Sequence, residues 1–311
     1  MNRTNAFPTP ARQSPDLADY ALGGSFRVGE ITVHHLSDGL AFGPRRNWFT
    51  GIDPSVWMPV LDLEDPDTPF PLNYGLFVVV GHGVVTLVDS GFGPEAQRLG
   101  GARGGNELRT RLHEIGIGAD DVDHVVQTHL HADHCGQLVT DTAQGARPTF
   151  GRATVHVHAR ELEHWTGATT DDNFMAPYVR SRIGPVRDAG RVSTFTALTR
   201  IAPGVVALPV PGHTPGHTCV LVSDRDRHCL LVGDLAHHPV HFRHHDWLHA
   251  FDHDPAASVA ARAALCELAV GLDAVVTAPH MPVLTLGRIG RDPGGGYSWT
   301  PVDAGGTGGP V

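Results

Sequence analysis

A cluster of side chains that bind metals stands in the stretch THLHADHCG, which begins at Thr128. Three histidines and an aspartate fall within six positions, from His129 to His134, directly after an apolar run. Backbone alternation at a strand end sends His129 and His131 to the same side, where two imidazoles can hold one metal ion. The chain then turns, so Asp133 and His134 can face a neighbouring position. Imidazole and carboxylate together suit zinc, and also iron or manganese.

Three further stretches place a metal-binding residue at the end of an apolar strand. His213 stands in PGHTPGH, Asp234 in LLVGDLAH and His280 in VVTAPH. An isolated histidine cluster can also be a surface patch, because short motifs give false matches. Strand ends along one edge of a sandwich converge on one pocket, so the sequence predicts a site for two ions. The first ion would be bound by His129, His131 and His213, the second by Asp133, His134 and His280, and Asp234 would bridge both.

Strands and helices alternate along the chain and can position these residues. FRVGEITVHHLSDG and YGLFVVVGHGVVTLVDSG are typical of strand pairs, and GVVALPVPGHTPGHTCVLVSDRDRHCLLVGDL of three strands. DHVVQTHL, ATVHVHA and LDAVVTAPHMP are short strands, and NELRTRLHEIGI and RELEHW are helices. The clearest helix is DPAASVAARAALCELAV, which Asp254 can cap and Pro255 can begin. This alternation predicts an α/β sandwich with sheets inside and helices outside.

Composition argues against several classes of protein. The formal net charge is −10 without Lys/Arg clusters, which argues against nucleic acid or an anionic membrane as a partner. The N-terminus has no apolar signal segment, and no run approaches the ~20 apolar residues of a membrane helix. We therefore expect a soluble, cytoplasmic protein. The four cysteines form no CxxC pair and fit reduced thiols, although Cys219 and Cys229 could face each other across a hairpin.

The 311 residues allow one large domain or two small ones. Residues 1–24 are polar and contain Pro, and we expect a flexible N-terminal arm there. Residues 25–302 are predicted to form a single domain. The Gly-rich residues 303–311 are predicted to be a disordered tail, and YSWTPV before them to be a short strand.

The motifs in this order resemble those of the metallo-β-lactamase-fold hydrolases. The family pattern HxHxDH appears as His129 to His134, GHTxGH as Gly212 to His217, followed by GD at Asp234 and a final His280. The resemblance covers about residues 26–302. It implies an αββα sandwich, with two central mixed β-sheets and helices on the outer faces.

The resemblance also implies a cofactor and roles for neighbouring residues. It implies two Zn²⁺ per chain, with Mn²⁺, Fe²⁺ or Co²⁺ as other ions, held by the ligands named above. TLVDSG resembles an upstream family element, so Asp89 is expected to orient a ligand histidine. His217, the second histidine of GHTPGH, is expected to be structural or to support a ligand.

The resemblance implies hydrolysis by a hydroxide that bridges the two metal ions. This hydroxide attacks a carbonyl or phosphorus centre, while one metal polarises the substrate oxygen. Asp133 binds a metal and can pass a proton to the leaving group. Cys135 follows His134 and is a candidate nucleophile, but we expect it to fill space near the site.

In layout the chain resembles the branch that holds the acyl-homoserine lactonases and methyl parathion hydrolase. GDLAHHPVHF, FDHDPAASVAAR and GYSWTPV carry this likeness. The lactonases often place a tyrosine three residues after the bridging aspartate, and this chain has His237 there. Either His237 replaces that tyrosine as a hydrogen-bond donor, or the protein is not a typical homoserine lactonase.

We therefore expect an ester hydrolase that acts on a small molecule, foremost a lactone such as an acyl-homoserine lactone. The alternatives with the same site are an arylesterase or phosphotriesterase and an acyl-thioesterase. A mononuclear iron persulfide dioxygenase shares the fold and much of the motif. Dimers are common among such relatives, so a homodimer is a further expectation.

Aromatic residues in two segments can cover the site as lids. Trp48, Phe49 and Trp57 precede the first long hairpin, and they fit either the wall of an apolar substrate pocket or ordinary core. Phe174 and Tyr178 belong to the second candidate lid. Residues 237–253 contain seven histidines. They suit either a third metal site or a polar loop that borders the pocket.

Overall fold

The computed structural model describes residues 20–43, 45–67, 69–167 and 174–304. The strands of its first half are β1 (Gly23–Val28), β2 (Ile31–Gly43), β3 (Phe70–Gly81), β4 (Val84–Val88), β5 (His124–Val126), β6 (Val139–Thr142), β7 (Gly145–Pro148), β8 (Thr154–His158) and β9 (Val192–Phe195). Those of its second half are β10 (Thr199–Ala202), β11 (Val205–Pro209), β12 (Thr218–Asp224), β13 (Arg227–Leu231), β14 (Val275–Thr277), β15 (Gly287–Arg291) and β16 (Tyr297–Pro301).

The helices are α1 (Pro54–Trp57), α2 (Ala96–Gly100), α3 (Leu108–Glu114), α4 (Ala132–Cys135), α5 (Ala159–Thr166), α6 (Ala176–Asp188), α7 (Val240–Arg243) and α8 (Pro255–Leu272). Single turns of 3₁₀ helix cover Arg45–Trp48, Pro59–Leu61, Gly93–Glu95, Ala119–Asp121 and Gly233–Leu235.

Two mixed sheets of seven strands each form the centre of the fold. The strand order is β1-β2-β3-β4-β5-β8-β9 in the first sheet and β10 to β16 in chain order in the second, while β6 and β7 form a separate hairpin. One apolar cluster, which includes Phe26, Phe77 and Val220, draws residues from both sheets and fills the space between them. The predicted αββα sandwich is confirmed.

Helices cover the outer face of each sheet. Residues of α3, α5 and α6 pack with β3, β4, β5 and β8 in a second apolar cluster. Residues of α8 pack with β12, β13 and β14 in a third cluster. Because alternate side chains of a strand point to opposite faces, each sheet supplies one set to the inner core and one set to its helices.

Helix α8 forms as its sequence signals predict. The Asp254 side chain accepts a hydrogen bond from the Ala257 amide at 3.0 Å, and Pro255 is the first helical residue. Its 18 residues are long and apolar enough to cross a membrane by length and composition, which the sequence analysis had not recognised. One face of α8 is buried against the second sheet through Leu265, Cys266 and Ala269. A helix in the core of a soluble protein can have the same length and apolar composition as a membrane-spanning helix.

Helix α6 was not predicted, because its sequence contains residues that usually end a helix. Pro177 stands at the start of α6, where its missing N–H costs nothing, and Pro185 stands in the last turn. Val179, Ile183 and Val186 are buried at helical spacing on one face of α6. Tertiary burial of this face therefore outweighs the local signals.

The predicted arm and tail lie largely outside the described residues. Residues 1–19 and 305–311 are not described, so the flexible arm over residues 1–24 and the disordered tail stay predictions. At the arm's inner end, Gly23 and Gly24 already pair with β2 as part of β1.

The two sheets bring their strand ends together at one edge. β4 and β5 are parallel in the first sheet, and β13 and β14 are parallel in the second. The carboxyl ends of parallel strands meet at the same edge of a sheet, so the loops that follow these four strands become neighbours. These loops carry Asp89, the residues from 128 to 134, Asp234 and His280.

A close backbone contact between β3 and the loop after β14 should make Gly75 essential for packing. A Cβ atom at Gly75 would lie 2.1 Å from the Pro279 carbonyl oxygen, immediately before His280. We expect Gly75→Ala to lower the free energy of unfolding by about 1–3 kcal/mol, because the backbone must move to relieve the overlap. Denaturation by urea measures this change.

Gly271→Ala is the matched control in α8. A Cβ atom there meets nothing within 4 Å, and alanine favours a helix by about 1 kcal/mol over glycine. Gly271→Ala should therefore stabilise the protein slightly. Equal stability of the two variants would contradict the close approach at Gly75.

Candidate active site

The predicted ligands lie in two adjoining groups at this edge. The ligand atoms of His129, His131, His213 and Asp234 lie within 4.8 Å of one another, and so do those of Asp133, His134 and His280. Asp234 joins the groups, because its carboxylate lies 3.4 Å from Nε2 of His213 and 3.1 Å from Nε2 of His280. The predicted ligands therefore lie together at one edge of the fold, and their division between two ions stays a prediction.

Four ligand histidines have their Nδ1 atom bound to an acceptor outside the centre of the site. Nδ1 lies 3.0 Å from Thr128 Oγ1 in His129, 2.8 Å from Asp89 Oδ2 in His134, 3.1 Å from Asp252 Oδ1 in His213 and 2.7 Å from the Asn73 carbonyl in His280. An acceptor at Nδ1 keeps the hydrogen there, so the lone pair is on Nε2. These four histidines therefore turn their Nε2 lone pairs towards the centre.

The inner nitrogens are too close together for neutral imidazoles without a shared cation or proton. Nδ1 of His131 lies 2.9 Å from Nε2 of His129 and 3.1 Å from Nε2 of His213. Nε2 of His134 lies 3.3 Å from Nε2 of His280. Lone pairs that face one another at such distances are stabilised by a cation between them.

The bridging carboxylate also lacks a partner that a cation would provide. Oδ1 of Asp234 is buried and accepts no hydrogen bond, although His134 Nε2 lies 3.2 Å away. Buried charge without a partner is costly, and divalent metal ions prefer imidazole and carboxylate ligands. The residues present therefore fit the divalent ions that the sequence implies.

Burial and nearby charges set the protonation of the site. Burial, reinforced by neighbouring histidines, lowers the pKa of His129 and of His131 well below the ordinary value. Burial also lowers the pKa of His134, but the carboxylates of Asp234, Asp133 and Asp89 outweigh it and raise that pKa well above the ordinary value. Negative charge is thus concentrated on the second group, where a cation would balance it.

The bridging Asp234 is held as a carboxylate. Burial alone would raise its pKa, but His280, His134, His129 and His237 lower that pKa well below the ordinary value. An ionised carboxylate at the junction of the two groups can bind an ion on either side.

Asp89 lies beneath the second group, as its predicted orienting role requires. Its carboxylate accepts hydrogen bonds from the Thr128 amide and hydroxyl, each at 2.8 Å, as well as facing His134 Nδ1. Its backbone has a φ of 63°, which is a left-handed conformation that Asp tolerates better than most residues. Asp89 therefore connects the loops after β4 and β5.

His217 is buried behind the bridging residue and does not line the cavity. Its Nε2 accepts a hydrogen bond from the Asp234 amide at 3.0 Å. Gly233, with a φ of 54°, lets the chain pass close to this ring, since a Cβ there would be 2.7 Å from His217 Nε2. His217 thus supports the position of Asp234 through its backbone.

Several residues that support the ligand loops carry no recognisable signal in the sequence. Glu161, at the start of α5, accepts hydrogen bonds from the Leu130 amide at 2.9 Å, the Trp165 indole at 2.8 Å and the Gly216 amide at 3.0 Å. It therefore joins the loop after β5 to the loop between β11 and β12. Nothing in RELEHW marks this glutamate as buried, because its partners are far away in sequence.

Asp38 is a second brace that the sequence did not reveal. Its carboxylate accepts hydrogen bonds from the amides of Phe92 and Gly93, both at 2.9 Å, and from the Gln137 side chain at 2.8 Å. It also accepts from the amides of Glu107 and Leu108. Asp38 thereby fixes the loop after Asp89 against the end of α4.

A cavity of about 280 Å³ opens directly onto both ligand groups. Its wall is mainly apolar and aromatic, with Trp48, Leu72, Tyr74, Phe92, Leu99, Phe174, Met175 and Phe251 among its lining residues. No Lys or Arg occurs among the described residues of this lining. The site thus combines a polar, ligand-rich floor with an uncharged apolar wall.

The aromatic candidates divide between the cavity and the core. Trp48 lines the cavity, and Phe174 stands at its rim with 76% of its surface exposed. Phe49 and Trp57 do not line it, which corrects their assignment as substrate-binding residues. Phe49 packs against Trp57 and Trp247 with ring centroids 5.1 and 5.2 Å apart, because α1 folds back onto this segment.

Tyr178 also lies outside the cavity lining. Its hydroxyl donates a hydrogen bond to the Phe92 carbonyl at 2.9 Å, which places it behind the wall. Its assignment as a substrate-binding residue is therefore corrected, while Met175 of the same segment does line the cavity. Residues 168–173 of this second candidate lid lie outside the described part of the chain.

The histidine-rich stretch contributes two imidazoles to the cavity, His237 and His249. Their rings are stacked, with centroids 3.7 Å apart and an angle of 11° between planes. His241 instead bonds the Trp48 carbonyl at 2.9 Å, which fixes the position of the cavity wall. The ligand atoms of His213, His249 and Asp252 lie within 4.8 Å of one another, and so do those of Asp234, His237 and His280. The stretch thus borders the pocket, and a metal site built from it would share residues with the two groups described above.

The cysteines are structural in this arrangement. Cys135 is buried in the first sheet's outer core, and burial raises the pKa of its thiol, which opposes a nucleophilic role. Cys219 pairs with Leu208 and Cys229 with Val222 in the sheet register, and all four cysteines are free thiols. The disulfide that a hairpin would have allowed does not form.

Two layered sheets thus carry, at one edge, a cluster of histidines and aspartates that could hold metal ions. The chain belongs to the metallo-beta-lactamase superfamily, whose family model matches residues 68–279.

Similar sequences include other proteins of this class. A probable metallo-hydrolase of Mycobacterium bovis is 30% identical over 129 residues, which make up 41% of this chain and 41% of that protein. The match therefore spans about two fifths of that relative's length. An N-acyl homoserine lactonase from a Bacillus species is 24% identical over 216 residues, or 67% of this chain and 74% of that protein.

Similar solved structures share the fold over nearly the whole chain. The hydrolase AbOPH has a TM-score of 0.78 and 22% identity, with 91% of this chain and 98% of that chain covered. AidC, a dizinc quorum-quenching lactonase solved with a product, has a TM-score of 0.77 and 20% identity at the same coverage, 91% and 98%. At such identities the likeness establishes the fold.

The geometry around Asp89 generates a prediction about metal binding. Asp89→Asn keeps the size and the left-handed backbone, but it replaces one of the two acceptor oxygens, which face the Thr128 amide and His134 Nδ1, with an NH2 group. Loss of this acceptor should weaken the affinity for Zn²⁺ by about 10–100-fold, because the Nε2 lone pair of His134 is no longer fixed. Competition with a chromophoric chelator measures the affinity.

Asp226→Asn, on the exposed turn between β12 and β13, is the matched control and should leave the affinity unchanged. An Asp89→Asn variant with the affinity of the wild-type protein would show that Asp89 does not orient a ligand.

Proposed function

We propose that this protein is a binuclear metal-dependent hydrolase of ester bonds whose substrates are lactones such as acyl-homoserine lactones. The observation that carries the proposal is the uncharged apolar cavity that opens onto both ligand groups. An acyl chain suits the apolar wall, and the ester group suits the floor. The similarity to an N-acyl homoserine lactonase supports the same choice.

Two divalent ions bound by the ligand groups would lower the pKa of a water molecule between them and polarise the ester carbonyl. The protein orients these ligands from loops at four strand ends, so little rearrangement is needed when substrate enters. The apolar wall excludes bulk water and strengthens the electrostatic interactions at the floor.

Asp133 is suited to transfer a proton to the leaving oxygen. Its Oδ2 lies 3.5 Å from His280 Nε2 and 3.7 Å from His134 Nε2, at the border of the second group. Its side chain keeps 20% exposure, unlike the almost fully buried Asp234. A ligand carboxylate that also faces the cavity can accept a proton and deliver it to the alkoxide as the ester bond breaks.

His237 is suited to donate a hydrogen bond to the substrate oxygen. Burial lowers its pKa to about 4, so the ring is neutral and carries a single N–H. Its Nε2 faces Asp234 Oδ2 at 3.3 Å, and its Nδ1 is buried without a hydrogen-bond partner. The acceptor that faces Nε2 is Asp234 Oδ2, so the single hydrogen belongs on Nε2, at the floor of the cavity. A substrate oxygen bound beside Asp234 would share this hydrogen with the carboxylate.

Alternative substrates share this chemistry. Aryl esters and phosphotriesters are neutral and would fit the aromatic wall, and acyl thioesters present a similar acyl chain. The same lining disfavours anionic substrates such as glutathione persulfide, because none of its described residues is Lys or Arg. The persulfide dioxygenase alternative is therefore the weaker one.

The proposal also places the enzyme in the cytoplasm as a homodimer. Four free, buried thiols agree with a reducing compartment. The dimer rests on the family resemblance alone, and sedimentation at several concentrations would test it.

The first test is hydrolysis of a medium-chain acyl-homoserine lactone by the Zn²⁺-loaded protein, followed through acid release. We expect ring opening in the wild-type protein and its loss in Asp133→Ala, because this variant lacks both a metal ligand and the proton carrier. Asp188→Ala, at the exposed end of α6, is the control and should retain activity. Circular dichroism should show that the fold is intact in both variants.

Two results would contradict the proposal at different levels. Wild-type protein that holds two ions per chain but opens no lactone would move the search to aryl esters, phosphotriesters and thioesters. Undiminished hydrolysis by Asp133→Ala would remove the proposed role of Asp133 in the mechanism.

The position of His237 gives a separate prediction about turnover. His237→Phe keeps an aromatic ring against His249 but removes the donor, so kcat should fall by about 10²–10³-fold with little change in KM. His237→Tyr restores a donor and should recover part of kcat. Steady-state kinetics on the lactone measures both variants, and equal loss in the two would show that packing rather than hydrogen bonding is important.

A further inference from the structure

Arg262 is a buried cation in the middle of α8, with only 1% of its surface exposed. Its Nε donates a hydrogen bond to the Leu235 carbonyl at 2.7 Å. Its Nη1 donates to the carbonyls of His245 and Trp247, each at 2.7 Å. One guanidinium group therefore holds three backbone positions of the loop that leads from β13 to α8.

The same guanidinium reaches a ligand histidine through Asp252. Nη2 of Arg262 lies 4.0 Å from Oδ2 of Asp252, and both side chains are 1% exposed. Oδ1 of Asp252 lies 3.1 Å from Nδ1 of His213, and Oδ2 accepts a hydrogen bond from the His249 amide at 3.3 Å. Arg262, Asp252 and His213 thus form a continuous chain that ends in the first ligand group.

Arg262 also supports the bridging ligand, Asp234, through the backbone of the next residue. Leu235, whose carbonyl it binds, directly follows Asp234. Both contacts start from one helix, so α8 provides a common reference for His213 and Asp234. These two ligands come from different loops, and their Nε2 and Oδ2 atoms lie 3.4 Å apart.

Burying an arginine at this position carries a large desolvation cost. The neighbouring buried residues of α8 include Leu265, Cys266 and Ala269, so an apolar side chain would fit the packing. Burial of a cation is tolerated only with good hydrogen bonds and a nearby negative charge. The planar fork of arginine reaches several acceptors at fixed angles, which a lysine cannot do.

We propose that Arg262 is a positioning residue that sets the geometry of His213 and Asp234 for binding of the first metal ion. It acts through Asp252 on one ligand and through the Leu235 carbonyl on the other. The proposal rests on the proposed function only in that a divalent ion binds the first group, and it does not depend on the substrate.

The experiment measures Zn²⁺ affinity and stoichiometry by competition with a chromophoric chelator, in the absence of substrate. Arg262→Met should weaken the tighter of the measured affinities, or both, by about 10–100-fold, because the support of two ligands is lost. Arg262→Lys keeps the charge without the fork and should recover only part of the affinity. Arg225→Met, an exposed residue on the turn after β12, is the matched control and should bind as the wild-type protein does.

A double-mutant cycle separates positioning from general stability. Asp252→Asn alone should also weaken Zn²⁺ binding, and its effect should not add to that of Arg262→Met, because both changes break one chain of contacts. Melting temperatures of the metal-free variants provide the second readout. If Arg262→Met does not fold, Arg262→Lys and Asp252→Asn carry the test.

The outcomes separate this proposal from the proposed function. Zn²⁺ affinity that is unchanged in Arg262→Lys and Asp252→Asn, or variants that melt earlier but bind Zn²⁺ normally, would overturn the positioning role. Fully additive losses would overturn the shared chain. The third outcome is that the Arg262 variants bind Zn²⁺ more weakly than the wild-type protein, as expected, but the wild-type protein hydrolyses no ester. This outcome would support the positioning role and contradict only the proposed function.

Discussion

The buried carboxylate of Asp234 is the constraint on which the rest of the site depends. It lies among the inward nitrogens of four ligand or cavity histidines, His129, His213, His237 and His280, at 3.1–3.7 Å from its Oδ2. A carboxylate in such a place is tolerated only when cationic partners surround it. The neighbouring imidazoles cannot all carry protons, because burial opposes their charge. A divalent cation would satisfy the carboxylate and the histidine lone pairs together.

This requirement explains the architecture that surrounds the site. Each outer nitrogen of four ligand histidines has an acceptor, and three of the acceptors are Asp89, Asp252 and the Asn73 carbonyl, which come from separate elements. The hydrogen is thereby kept away from the metal side before any ion arrives. Such preorganisation needs rigid neighbours, and loops at the ends of parallel strands provide them. The strand ends are thus the part of the fold that function requires.

The sequence indicates candidate ligands because their motifs are local. His129 to His134 follow β5 within a few residues, and Asp234 and His280 each stand close after a strand. It did not reveal Glu161, Asp38 or Arg262, whose partners are distant in the chain and whose own surroundings look like ordinary helix or strand surface. The sequence marks the aromatic residues as candidates but does not show which of them line the cavity. Trp48 and Phe49 are adjacent, yet one lines the cavity and the other the core, which only the path of the backbone decides.

The candidate ligands and the cavity wall are subject to different constraints when residues are substituted. The candidate ligands are constrained by the need of Asp234 for cationic partners, whereas the cavity wall includes apolar side chains outside the ligand set, such as Leu72, Leu99 and Phe251. A substitution in this wall changes the shape offered to the substrate and leaves the charge balance of the floor intact. Specificity can therefore vary while the ligand set is kept. In this chain none of the described lining residues is Lys or Arg, so the wall itself offers no side-chain counter-charge to a negative group on a substrate.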